Sequence, residues 1–161
     1  MAARKSPARP IEPALSPVDG LAQLSFTVLG MLERRAAKHD LSLSQTRLLG
    51  VLRDRRPTMQ ELARLLGLDK SSVTGLVDRA ERRGLVTRVA STADRRAVEV
   101  HLTDAGRSLA TAGATDFAAD VTALLELLAP ADRRALSELI NRLLLAHAAE
   151  HGVDLFATMA V

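Results

Sequence analysis

The chain of 161 residues has no cysteine, no tryptophan and no tyrosine. Without cysteine there is no disulfide framework, no thiolate metal site and no thiol redox switch. That agrees with a reducing, cytoplasmic setting, which is the location expected. No apolar run approaches the roughly twenty residues that span a bilayer, so no membrane partner is expected. The first sixteen residues, MAARKSPARPIEPALS, mix basic residues and prolines around no apolar centre. They do not form a secretory signal and are expected to be a flexible arm, residues 1–16. A Ser-His-Asp order, a phosphate loop and an HExxH run are all missing. Glu61, Asp78 and Glu81 fall in helical patterns, where they act as caps or surface ion-pair partners. Asp78 has the spacing to pair with Arg82 on its own helix. Neither an enzyme nor a cofactor is expected.

What the chain does have is a globular balance, 47% apolar and 25% charged, and enough length for a real core. Its net charge of +3 is unevenly placed. Residues 1–52 hold seven Lys/Arg against four Asp/Glu, residues 53–96 eleven against six, and residues 97–161 four against nine. The middle of the chain is therefore basic and the C-terminal part acidic. A local basic face is the footprint of a phosphate binder, although charge alone fits a solvated mixed surface equally well.

Helical spacing runs from Pro17 to His39 through Leu21, Leu24, Val28, Leu32 and Ala36. Ser42 with Gln45 has capping-box spacing and opens a second helix bearing Leu48, Leu49 and Leu52; Pro57 ends it. Thr58 with Glu61 repeats the box and opens a third, with Met59, Leu62, Ala63 and Leu66 inward and Gly67 as its left-handed stop. Asp69 caps a fourth, burying Val73, Leu76, Val77 and Ala80, and Gly84 ends it. Leu85–Ala90 and Ala97–Leu102 alternate as a hairpin with a long loop, Val98, Val100 and Leu102 sharing a face. Thr103 caps a fifth helix reaching about Leu128. Ala129-Pro130 breaks it and starts a sixth, to about His151.

The block from Thr58 to Leu102 thus reads helix, turn, helix, strand, basic loop, strand. The fold class expected is mainly α with a small β-hairpin wing: a winged helix-turn-helix at residues 42–102. Dimerisation helices flank it at 17–41 and 103–161. A helix that enters the major groove needs short polar groups at its leading end, which Lys70, Ser71, Ser72 and Thr74 supply, with Arg79 behind them. The backbone N–H groups at Asp69–Ser72 could also hold a phosphate, although Asp69 as a cap already occupies some of them. Gly75 costs roughly 1 kcal/mol against Ala inside a helix, and on an exposed face it lets a sugar-phosphate strand approach. The wing loop, Ser91-Thr92-Ala93-Asp94-Arg95-Arg96, presents two arginines of the kind that suit a narrow minor groove. The partner expected is double-stranded DNA.

On ELARLLGLDKSSVTGLVDRAERRGLV and DRRAVEVHLTDAG, together with the helix order, residues ~20–146 resemble the multiple antibiotic resistance regulator (MarR) family of bacterial transcription factors. The resemblance implies an obligate homodimer with interlocked N- and C-terminal helices. It implies a pseudo-palindromic operator, usually repressed, and a small-molecule effector between the dimer helices and the winged domain. It also implies that Arg96, held by Asp94 across Arg95, enters the minor groove. Two departures stand out. Ser91 and Ala93 replace acidic and basic residues carried by many relatives, and Phe26, Phe117 and Phe156 are the only aromatic residues of the Phe/Trp/Tyr type. An apolar and an aromatic effector both stay open.

Dimerisation has its own argument. Phe117, Val121, Leu124, Leu125 and Leu128 on one helix, and Leu139, Leu143 and Leu144 on the next, exceed what a winged domain can cover. Leu155, Phe156 and Met159 add to the excess. His147 and His151 stand four apart and could share a Zn²⁺, but two exposed histidines at a fraying helix end are the commoner case, and no metal is expected. Two rival readings are a winged-helix module that binds protein and an architectural DNA binder without sequence preference.

Overall fold

The computed structural model describes residues 15–92 and 96–152. Its elements run α1 (Pro17–Ala37), α2 (Leu43–Asp54), α3 (Met59–Leu66), α4 (Lys70–Arg82), β1 (Val86–Ala90), β2 (Val98–Leu102), α5 (Asp104–Leu125) and α6 (Pro130–His151). This is a mainly α winged helix-turn-helix. The local signals act where the sequence puts them. Both capping boxes close, Ser42 with Gln45 and Thr58 with Glu61, so the first N–H groups of α2 and α3 find side-chain acceptors. Gly67 ends α3 at φ 65°, a conformation open to glycine at little cost. Gly84 turns the chain from α4 into β1 at φ 68°. The hairpin is antiparallel, with register running from Val86↔Leu102 to Ala90↔Val98.

One core holds this unit together. Leu48, Leu49 and Leu52 of α2, Leu62 and Leu66 of α3, and Val73, Leu76, Val77 and Ala80 of α4 meet Val86, Val100 and Leu102 of the hairpin. The three-four spacing of the helices and the two-residue spacing of β2 converge on one interior. Val98 lies on the strand face of Val100 and Leu102 but is exposed at the open end of the hairpin, where the core no longer covers it.

The long helices depart from the sequence reading at their ends. α1 stops at Ala37 rather than His39, because Asp40 adopts φ 52° and Leu41 N–H returns to the Ala36 carbonyl. α5 stops at Leu125 rather than Leu128, where the chain tightens into i→i+3 bonds from Leu127 to Leu124 and from Leu128 to Leu125. The start of α5 sits against the α4–β1 turn. Thr103 donates its hydroxyl to the Gly84 carbonyl at 2.6 Å, and its N–H reaches Leu85 O at 3.1 Å. Gly106 lies so close to Leu85 that a Cβ there would stand 1.9 Å from the Leu85 carbonyl oxygen. Only glycine fits.

α1 and α6 are covered differently from the rest. α6 has no buried residue, and Leu139, Ile140, Leu143, Leu144 and Leu145 are exposed along it. α1 exposes Val18, Leu21, Phe26 and Leu29. Among the described residues, no helix is long and apolar enough to cross a membrane.

Candidate nucleic-acid interface

α4 presents its solvent face as a consequence of how its other face is buried. With Val73, Leu76, Val77 and Ala80 inside, the helix period turns Lys70, Ser71, Ser72, Thr74 and Arg79 outward, and all five are exposed. The first turn is rigid. Asp69 accepts from Ser72 N–H at 2.9 Å, from the Ser72 hydroxyl at 2.6 Å and from the Ser71 hydroxyl at 2.5 Å. These bonds, the Ser71 hydroxyl foremost, hold the Asp69 carboxyl far below the usual carboxylate range. Both serines therefore give their protons to Asp69 and turn oxygen lone pairs outward. Ser72 N–H is spent on the ionised cap, so Asp69 occupies part of the phosphate cradle at Asp69–Ser72, as its capping position implied. Thr74 donates to the Lys70 carbonyl at 2.8 Å and likewise shows an acceptor. At Gly75 an added Cβ would meet only Arg79 Nη1, at 3.3 Å, so its bare backbone lies under the Arg79 guanidinium.

Arg88 of β1 ties this helix to the wing. It donates to Asp78 at 2.5 Å and also to the Glu81 carboxylate, while its own N–H reaches Glu81 at 3.2 Å. The Asp78 bond is the main reason its pKa rises above the ordinary arginine value. Asp78 thus pairs with Arg88 across elements, not with Arg82 on its own helix as spacing suggested. At the far end of α4, Arg83 donates to the carbonyls of Asp40 at 2.7 Å and His39 at 2.9 Å, fixing the helix to the α1–α2 turn.

In the wing, Ser91 N–H closes onto the Ala97 carbonyl at 3.0 Å and Ser91 is buried. Arg96 is exposed. Asp94 and Arg95 lie outside the described residues. His101 contacts Glu99 at 2.8 Å, and that contact leads the causes that lower the Glu99 pKa.

α1, α2 and α5, with Leu65 and Leu66 of α3, line an open cavity of about 410 Å³. Leu32, Ala36, Leu49, Gly50, Gly113 and Phe117 are among its walls. Arg35, another wall residue, grips Asp120 at 2.7 and 2.6 Å and Asp116 at 3.1 Å, joining α1 to α5.

Residues 39–97 match the family described as the MarR family. An HTH-type transcriptional regulator of Bacillus subtilis, YfiV, is 32% identical over 102 residues, covering 63% of this chain and 64% of that relative. The chain thus spans less than two thirds of the length of this curated relative. The fold matches wild-type MarR from E. coli in its apo form with TM-score 0.70 at 22% identity, over 81% of this chain and 98% of that one. It matches NadR in complex with 4-hydroxyphenylacetate with TM-score 0.65 at 24% identity, over 82% and 94%.

Over residues 39–97 the chain resembles the MarR family.

On this winged-helix framework, the residues expected from sequence divide into three groups. Lys70, Ser71, Ser72, Thr74 and Arg79 share the outer face of α4. Arg96 is exposed on the wing. His147 and His151 stack with ring centroids 4.2 Å apart at the end of α6, and the described residues hold no group of three or more His, Asp or Glu able to grip a metal. The sequence reading missed Arg83 and Arg88. A strand arginine with two carboxylates one turn apart on the preceding helix was a usable signal for Arg88; nothing local marked Arg83.

Proposed function

We propose that the protein is a homodimeric transcription regulator that binds a pseudo-palindromic operator and represses from it, a small molecule in the α1–α2–α5 cavity releasing it. The observation that carries this reading is the outer face of α4. Lys70, Ser71, Thr74 and Arg79 stand exposed in a row on a helix held rigidly by Asp69 at one end and Arg83 at the other. Such a helix fits the major groove with its leading residues at base edges. The basic balance of residues 53–96 supports it, and the two-arginine wing suits the neighbouring minor groove with Asp94 orienting Arg96.

The exposed apolar rows on α1 and α6 support the dimer. An unpaired surface of that extent favours self-association, and a two-fold pair of α4 helices about one DNA turn apart reads a two-fold site. NadR, which shares the fold, holds 4-hydroxyphenylacetate, and the cavity here has the volume of a small-molecule pocket.

The test is competition between the duplex upstream of the protein's own gene and random duplex at one near-physiological salt, with wild type beside Arg96→Ala. A preference of about a thousandfold, reduced in the variant, is expected. Equal binding to both duplexes would mark an architectural binder, and no binding to either would favour a protein-binding winged module.

A further inference from the structure

The cavity also carries information about the chemistry of its occupant. Its space is left open at two helix-interior glycines. A Cβ at Gly50 or at Gly113 would meet nothing within 4 Å, so packing does not require glycine at either place, although each weakens its helix. The body of the wall is aliphatic, with Phe117 its one benzene ring and no tyrosine or tryptophan anywhere in the chain. A planar ligand finds no second such ring to sandwich it.

The charged walls are all of one sign. Arg35, Arg47 and Arg53 line the cavity with His39, and no acidic side chain does. Two of the arginines are already compensated: Arg35 by Asp116 and Asp120, and Arg53 by Asp54 at 3.0 Å. Arg47 differs. It makes one hydrogen bond, to the Leu66 carbonyl at 3.3 Å, and no ion pair among the described residues. A guanidinium beside apolar walls with only a carbonyl for company gains most from an anion that brings two oxygens to its fork.

Building on the ligand pocket proposed above, we infer that the cavity takes a small amphipathic monoanion, its carboxylate on Arg47 and an aliphatic body among Leu32, Leu49, Leu66, Ala114 and Phe117. One uncompensated cation calls for one negative charge, and the aliphatic walls call for a chain or alicyclic ring rather than a flat arene. The other two arginines of the wall do not add a second anion site, since Arg35 and Arg53 already have carboxylate partners.

Titration calorimetry on the full chain tests this with sodium octanoate, 1-octanol and 2-naphthoate. Octanoate is expected to bind about tenfold more tightly than octanol, because only the carboxylate forms the charged pair. Arg47→Gln, which keeps a donor for the Leu66 carbonyl, is expected to erase that preference while leaving octanol within about twofold. Gly113→Leu fills the cavity and is expected to abolish binding of both, with thermal unfolding confirming that the variant folds. Equal affinity for octanoate and octanol, a preference that survives Arg47→Gln, tighter binding of 2-naphthoate, or no binding at all would each overturn the inference. Operator competition on the same preparation separates the two readings. Selective DNA binding without octanoate binding sinks the ligand class alone, whereas octanoate binding without selective DNA binding sinks the regulator and leaves the site.

Discussion

Replacing Gly106 and Gly113 by alanine puts one substitution at two places on α5 and is expected to move stability in opposite directions. At Gly106 the new Cβ would lie 1.9 Å from Leu85 O and 2.9 Å from Leu85 C, both backbone atoms that cannot rotate away. Relief requires α5 to retreat by about 1 Å or more, to ordinary contact distance. Thr103 N–H to Leu85 O, at 3.1 Å, lies in the path of that retreat. Overpacking of this kind costs about 1–3 kcal/mol and the strained hydrogen bond about 1 more, while alanine's helix preference returns about 1. The net expectation for Gly106→Ala is about 1–3 kcal/mol of destabilisation. At Gly113 nothing stands within 4 Å, so only the helix preference acts and Gly113→Ala is expected to stabilise by about 1 kcal/mol. Urea unfolding of both variants at one protomer concentration measures the contrast, the fixed concentration removing any contribution from self-association. Equal shifts, or a Gly106→Ala protein as stable as wild type, would refute the claim that α5 is seated by a backbone contact.

Arg88→Met removes the tie from β1 to Asp78 and Glu81; a loss of about 1 kcal/mol is expected, because the group is partly exposed, with a larger loss of operator affinity than of affinity for random duplex. Leu139→Lys with Leu143→Lys on α6 is expected to give monomers by sedimentation equilibrium and to lose operator binding; an unchanged dimer would exclude that face from the interface. Asp69, Glu61 and Asp120 all have depressed pKa values, so each contributes stability that is present above the unfolded carboxylate value near 4 and lost as pH falls through its lower folded value. Acid titration of Asp69→Asn should therefore show a shallower decline below about pH 4 than wild type, and identical curves would remove Asp69 from the account.

How much was legible beforehand follows from the range over which each signal acts. Ser42 with Gln45, Thr58 with Glu61, and the glycines at 67 and 84 work within a few residues, and each is found where its neighbours implied. The stripe Val73, Leu76, Val77 and Ala80 set the outer face of α4 with no knowledge of its partners. The ties between elements were not legible. Arg88 sits ten residues from Asp78, Arg83 forty-three from Asp40, and Arg35 eighty-five from Asp120, and spacing along one helix favoured the nearer Arg82 for Asp78. The ends of α1 and α5 were overrun because apolar periodicity continues past the turns that close them. The need for glycine at 106 exists only once β1 has brought Leu85 against it.

The anchorage of Arg83 has a thermodynamic consequence. Its two acceptors, the carbonyls of His39 and Asp40, belong to the turn whose His39 and Leu41 side chains also wall the cavity. One short stretch of chain therefore lines the cavity and also moors α4. Any guest that prefers one position of that turn acts on the helix through it, and duplex that prefers one position of the helix acts back on the guest. Linkage makes the two effects equal: the factor by which a ligand loosens DNA is the factor by which DNA loosens the ligand. Cutting the mooring with Arg83→Ala should bring that factor towards one, even with both binding surfaces intact.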